Sequence, residues 1–176
     1  YSISEEMELW RLVALVCETC PMVGHYAVHY EHTVLAQTHK ILPNTVGDTM
    51  LAQWEIQPEL EKSLGFCASI YTKLPYWKAD LKAARSGKIE PWREFEYNGL
   101  DNIITWRVAE ATKKELSELP PSVSDHYRFN IRVSRVFQYM STRGVLLDKP
   151  KWEKRVKELE EQAIVMEAEF QSAAGK

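Results

Sequence analysis

Two residues one helical turn apart, Tyr97 and Asp101 in Tyr97-Asn98-Gly99-Leu100-Asp101, are the first candidates for chemistry. On a helix, side chains at i and i+4 lie one above the other. A phenol so placed can orient a water while the carboxylate holds a divalent metal beside it, the pairing that two-metal phosphodiester hydrolysis uses. The plain alternative is a packed helix start. The second constellation is Val23-Gly24-His25-Tyr26-Ala27-Val28-His29-Tyr30-Glu31-His32, which reads as a short strand, a polar turn and Glu31 opening a helix at a sheet edge. His25, His29 and His32 stand close enough to suggest zinc if helical, but no Glu or Cys completes a familiar zinc pattern, and surface histidines are commoner. Asp48, before Thr49-Met50-Leu51, reads first as a helix N-cap.

The third constellation mixes aromatics and cations. Tyr71, Tyr76, Trp77 and Trp92 lie near Lys73, Lys78, Lys82 and Arg85. Rings that stack on bases beside cations that neutralise phosphates would suit a frayed single strand; the same rings could equally fill a core beneath a long loop.

The elements that must position these groups follow from periodicity and punctuation. Residues 2–19 predict a helix capped by Ser2 with Glu5, or by Ser4. Its buried face is Trp10, Val13, Ala14 and Cys17, widened by Leu9, Leu12 and Val16. Met22 to His25 predicts a strand and 31–39 a helix, with Pro43-Asn44 a turn. A helix runs from the Asp48 cap to Ile56, and Leu60, Leu64, Cys67 and Ala68 share the next face. Residues 71–94, with Pro75, Gly87 and Pro91, predict a loop with a little helix. Tyr97 to Leu119 is helical, with Leu100, Ile103, Ile104, Val108 and Ala111 apolar. Pro120-Pro121-Ser122 is the clearest break and divides the expected domains, 1–119 and 120–176. Beyond it, 125–143 predicts an amphipathic helix with Phe129, Val133, Val136, Phe137 and Met140 on its apolar face. Gly144 fits a C′ position, and Asp148 caps a last charged helix to about residue 174. The chain reads as mainly helical, with too few strands to complete a sheet.

The 176 residues make room for one domain or little more, with 45% hydrophobic and 27% charged residues, which excludes disorder along the whole chain. The formal charge of −3 excludes a strongly basic coat protein, though not a local basic groove. Three cysteines cannot all pair, which favours a reducing, intracellular compartment. No run of apolar residues suits a membrane span. Leu9 to Cys17, broken by Arg11 and preceded by Glu5, Glu6 and Glu8, does not read as a signal peptide. The start at Tyr1 rather than Met is read as a beginning partway through a longer product or the removal of something upstream.

Taken in order, the strand followed by Glu31, then Asp48-Thr49-Met50-Leu51-Ala52, Lys62 to Tyr71, Tyr71 to Lys78, and Tyr97 to Trp106 resemble the 3′–5′ exonuclease domain of phage-type family A DNA polymerases. Val136 to Asp148, with Met140, Arg143-Gly144-Val145 and Asp148, resembles the segment that leads into that family's polymerase domain. The resemblance covers essentially the whole chain. It implies an α/β, ribonuclease-H-like exonuclease fold, here lacking its first strands, followed by the first polymerase-domain helices. It implies that Tyr97 orients water and that Asp101 ligates Mg²⁺ or Mn²⁺. Glu31, behind the aromatic Tyr30, stands where the family's second motif has Asp, and that motif's Asn is missing; the role implied for Glu31 is catalytic and metal-binding. Asp48 matches a structural Asp-Thr. The first motif, Asp-x-Glu on a strand, has no counterpart in these residues, so the metals would bind only if it were supplied from elsewhere.

The implied partners are DNA (a single-stranded 3′ end or primer-template), touched by Tyr71, Lys73, Tyr76, Trp77, Lys78 and Trp92, and the missing portions of the polymerase or a second polypeptide completing the sheet; no membrane is implied. The implied location is a bacterial cytoplasm or nucleoid, with a phage gene as a possible source. Two other readings stand beside this one: an inactive exonuclease-like platform that holds DNA, and a helical adaptor unrelated to nucleic acid.

Overall fold

A computed structural model describes residues 2–78 and 90–175. Among them the chain is mostly helical, with one small parallel sheet: α1 (Ile3–Thr19), β1 (Met22–Gly24), α2 (Tyr30–His39), β2 (Thr45–Asp48), α3 (Thr49–Ile56), α4 (Leu64–Tyr71), α5 (Pro91–Glu118), α6 (Pro121–Arg143) and α7 (Lys149–Ala173). The chain divides into two compact units, Tyr1–Thr142 and Arg143–Lys176. The Pro120-Pro121 turn lies inside the first.

Local signals account for most boundaries. Ser2 accepts from the Glu5 amide while the Glu5 carboxylate takes the Ser2 amide, a complete capping box that starts α1. β1 and β2 run parallel, with Val23 opposite Gly47 and Gly24 opposite Asp48. Parallel neighbours need a crossover, and α2 supplies it. The chain turns so sharply after β1 that a Cβ on Gly24 would lie 2.3 Å from the Ala27 Cβ, so no other residue fits there.

The turn is held by Asp48. This fully buried carboxylate accepts from the Met50 and Leu51 amides, capping α3, and from the Tyr26 and Val28 amides in the loop before α2. Its own amide donates to the Tyr127 hydroxyl of α6 at 2.9 Å, and that hydroxyl faces the Asp48 carbonyl at 3.3 Å. The apolar core lies alongside: Leu64, Cys67 and Ala68 of α4 pack on Ile104 and Val108 of α5, with Tyr71, Trp77 and Leu100 around them. Burial pushes the Cys67 thiol up to about 11.

Several expectations need correction. β2 was not foreseen, because its four residues carry no alternation long enough to read. The helix bearing Tyr97 starts at Pro91, so Tyr97 and Asp101 are interior positions, not a helix start; a proline that reads as a loop signal also suits the first turn of a helix. Leu60 precedes α4 rather than sharing its face, and Ile103 points to solvent.

On α6 the expected apolar stripe is largely on the wrong side. Phe129, Val136, Phe137 and Met140 are exposed, and Ile131, Ser134 and Gln138 are buried with Tyr127 half-buried. The reason is the neighbour. α6 faces the polar end of the sheet and α2, where Thr45, His32 and Asp48 favour hydrogen-bonding side chains. Along α1, Cys17 is buried as expected, but Leu9, Leu12 and Val16 are exposed.

In the second unit, Gly144 takes the expected left-handed conformation at φ +68°. Val145, Leu146 and Leu147 are exposed, and Asp148 caps α7 through the Lys151 amide. No residue of α7 is buried. Among the described residues no helix is long and apolar enough to cross a membrane.

Candidate functional site

The two strands end side by side, and the carboxyl ends of parallel strands are where an open α/β sheet collects ligand-binding groups. His25 follows β1 directly and Asp48 ends β2. The Thr49 hydroxyl lies 3.3 Å from the Gly24 carbonyl, its acceptor, and so faces His25 Nδ1 at 2.8 Å as an acceptor itself. His25 Nε2 is buried and makes no well-formed hydrogen bond among the described residues. Burial holds the His25 pKa below its ordinary value; the charge of Asp48 opposes the shift, Lys78 adds to it, and the Lys62 backbone and the charge of Asp101 oppose it. Those interactions put His25, Asp48, Lys78 and Asp101 in one electrostatic neighbourhood.

Asp101 is partly buried there and already engaged. The Trp77 indole N–H donates to Asp101 Oδ1 at 2.7 Å, and Lys78 Nζ lies 3.8 Å from the same oxygen. The Lys78 ammonium also sits 5.1 Å from the centre of the Trp77 ring. Tyr97, one turn before Asp101, is half-buried. Glu31, in the first turn of α2, is exposed, with its pKa raised by partial desolvation and by the charge of Asp48.

The donor set does not fit a divalent cation by itself. Among the described residues no three His, Cys, Asp or Glu side chains converge on one point, so Glu31, Asp48 and Asp101 form no such group, nor do His25, His29 and His32. His32 is buried and bonded to Thr45 Oγ1, and His29 is exposed beside the Tyr26 ring. Asp48 spends its carboxylate on four amides, and Asp101 has a cation of its own in Lys78.

The aromatic and basic candidates separate into two groups. Tyr71 packs on the core and donates to Gln53 Oε1 at 2.6 Å; burial raises its phenol well above the ordinary range. Trp77 packs on the same core with its indole on Asp101. Tyr76, Lys73 and Trp92 are exposed, and Arg93 lies over the Trp92 ring. Lys82 and Arg85 lie outside the described residues. Sequence reasoning missed His25 as a member of this neighbourhood and placed Lys78 on DNA, not on Asp101. The one signal for His25 was its place immediately after a strand.

Two measurements probe this cluster. Trp77→Phe keeps the ring's bulk but loses the N–H on a carboxylate, and should cost about 1.5–3 kcal/mol in urea unfolding. Lys78→Met removes a partly exposed ion pair, and should cost no more than about 1 kcal/mol. A larger loss in Lys78→Met than in Trp77→Phe would mean that the ion pair, not the indole, holds Asp101.

The second measurement concerns pH. His25 and His32 both have pKa values lowered chiefly by burial, so the unfolded chain binds protons that the native chain does not. Stability is then fully present above the ordinary histidine value and lost as pH falls below about 6.5. The urea midpoint should drop between pH 7.5 and pH 5.5, values chosen to bracket that titration, and drop less in His32→Gln. Glu31, whose raised pKa has the opposite effect, acts lower, in the carboxylate range.

No family model, curated protein or solved structure matches the chain.

Proposed function

We propose that this chain is a piece of a family A DNA polymerase, contributing part of the 3′–5′ proofreading exonuclease domain and the start of the polymerase domain. The observation that carries the reading is the position of the intact Tyr-x-x-x-Asp pair: Asp101 lies within electrostatic reach of His25, which follows β1 where the two parallel strands end and which also feels the charge of Asp48. A parallel pair of three- and four-residue strands is small for a sheet, and parallel strands ordinarily sit in larger ones. In this reading further strands, bearing an Asp-x-Glu motif, come from other residues of the polymerase or from a second polypeptide. They would bring the carboxylates that Asp101 lacks, and Mg²⁺ or Mn²⁺ would bind there only then. The ion would supply water activation and neutralisation of the phosphoryl charge. This chain's part is to hold Asp101 at the strand ends, through Trp77, and to present Tyr97 one turn away.

A second reading has its own support. Glu31 in place of Asp, the missing Asn, and an Asp101 already paired with Lys78 all suit an exonuclease-like platform that binds DNA without cleaving it. The test that separates them is Mg²⁺-dependent release of nucleotides from a labelled single-stranded 3′ end by the complete enzyme, with and without Asp101→Ala. Loss of release in the variant supports the first reading. A complete enzyme that binds the end and releases nothing supports the second.

A further inference from the structure

At the other end of β2 from Asp48 lies a cleft of about 490 Å³ between the strand and α6. Thr45 and Val46 form its strand side, and Arg128, Arg132 and Arg135 line it from the helix. β2 rises about 3.3 Å per residue, so this cleft sits roughly 10 Å along the strand from the candidate site. We propose that it seats a nucleic-acid phosphodiester backbone, as a contact separate from any hydrolytic centre and independent of the role given to Asp101.

The three guanidinium groups are in different states, and together they leave the cleft positive. Arg135 donates to Asn44 Oδ1 at 2.9 Å and to the Thr45 carbonyl at 3.3 Å; both partners are neutral, so they fix the side chain without cancelling its charge. Arg128 pairs with Asp125 at 2.8 Å, but both side chains are about two-thirds exposed, a pairing that contributes little and is easily exchanged for another anion. Arg132 is exposed and has no partner among the described residues. Among the described residues that line the cleft, Asp125 is the one acidic side chain.

Spacing and residue type favour a phosphate chain as the occupant. From Arg128 to Arg135 a helix rises about 10 Å. A nucleic-acid strand carries one charge per roughly 3.4 Å of axis, so the row runs alongside about three nucleotide steps. All three cations are arginines, whose planar fork takes two phosphate oxygens at once, which a lysine cannot do. The net charge of −3 on the whole chain makes this local positive cleft an exception to its surroundings, which helps to concentrate a polyanion there.

The experiment is fluorescence anisotropy of the full chain with a labelled oligonucleotide, single-stranded and duplex, across a salt series, with polyglutamate as a second probe. Arg132 bonds to nothing described, so Arg132→Glu should fold normally, with an unchanged circular dichroism spectrum, and bind DNA at least about tenfold more weakly. Arg132→Ala should lower the slope of log affinity against log salt by about one unit. Lys114→Glu, the same charge change on an exposed α5 position outside the cleft, should leave affinity within about twofold. The proposal falls if the unaltered chain binds no DNA at low salt, or if Arg132→Glu and Arg132→Ala both bind as it does. It also falls if polyglutamate binds as tightly as DNA, which would make the cleft a seat for acidic protein.

Discussion

On the proposed polymerase reading, Asp101→Ala in the complete enzyme should lower release of 3′-terminal nucleotides by on the order of 10²–10³-fold, the usual effect of deleting one electrostatic contributor to a preorganised site. Asp101 is a carboxylate near the strand ends whose described partners are side chains, Trp77 and Lys78, and not backbone amides. Asp48 is nearby but occupied four times over. Asp101→Asn keeps the acceptor for the Trp77 indole while removing the charge, so it separates chemistry from structure. A rate that falls equally in Asn and Ala, with single-strand binding intact, places the charge in the reaction. An unchanged rate removes Asp101 from it and leaves the platform reading standing.

The largest expected effect on stability is at Asp48. Asp48→Ala strands four amides at once, a buried one at Val28 and part-buried ones at Tyr26, Met50 and Leu51. Each orphaned donor costs about 1–3 kcal/mol, but water entering the vacated space recovers part, and neighbouring losses do not add. A net loss of about 3–5 kcal/mol is expected, read as a shift of the urea transition followed by circular dichroism. Asp48→Asn keeps one acceptor oxygen and should retain more than half of that stability. A loss under about 1 kcal/mol for Ala would mean that solvent replaces the carboxylate fully.

Legibility followed the range of the interaction. Caps declare themselves within a few residues, and Ser2 with Glu5, Asp48 before α3, Gly144 after α6 and Asp148 before α7 were all readable. The apolar face of α4 and the buried Ile104 and Val108 followed from helical spacing. β2 failed because Thr45-Val46-Gly47-Asp48 is shaped by its partner, not by its own pattern. α6 failed because Ser134 and Gln138 read as solvent-facing until the polar groups opposite them are known. In the candidate site, Tyr97 and Asp101 were singled out by their spacing. Trp77 and Lys78 were found as aromatic and basic residues, but that they serve Asp101 depends on the distance closed between residues 77 and 101, which no local pattern encodes.

The Asp48 arrangement also bears on the order in which the chain assembles. Its partners in the loop before α2 are 20 and 22 residues away and those in α3 only 2 and 3, whereas Tyr127 is 79 away. Closing short loops costs less entropy and is faster. Residues 26–51 can therefore gather around one carboxylate as an early nucleus while α6 is still undocked, and the Tyr127 phenol then arrives as a late latch on a turn already formed.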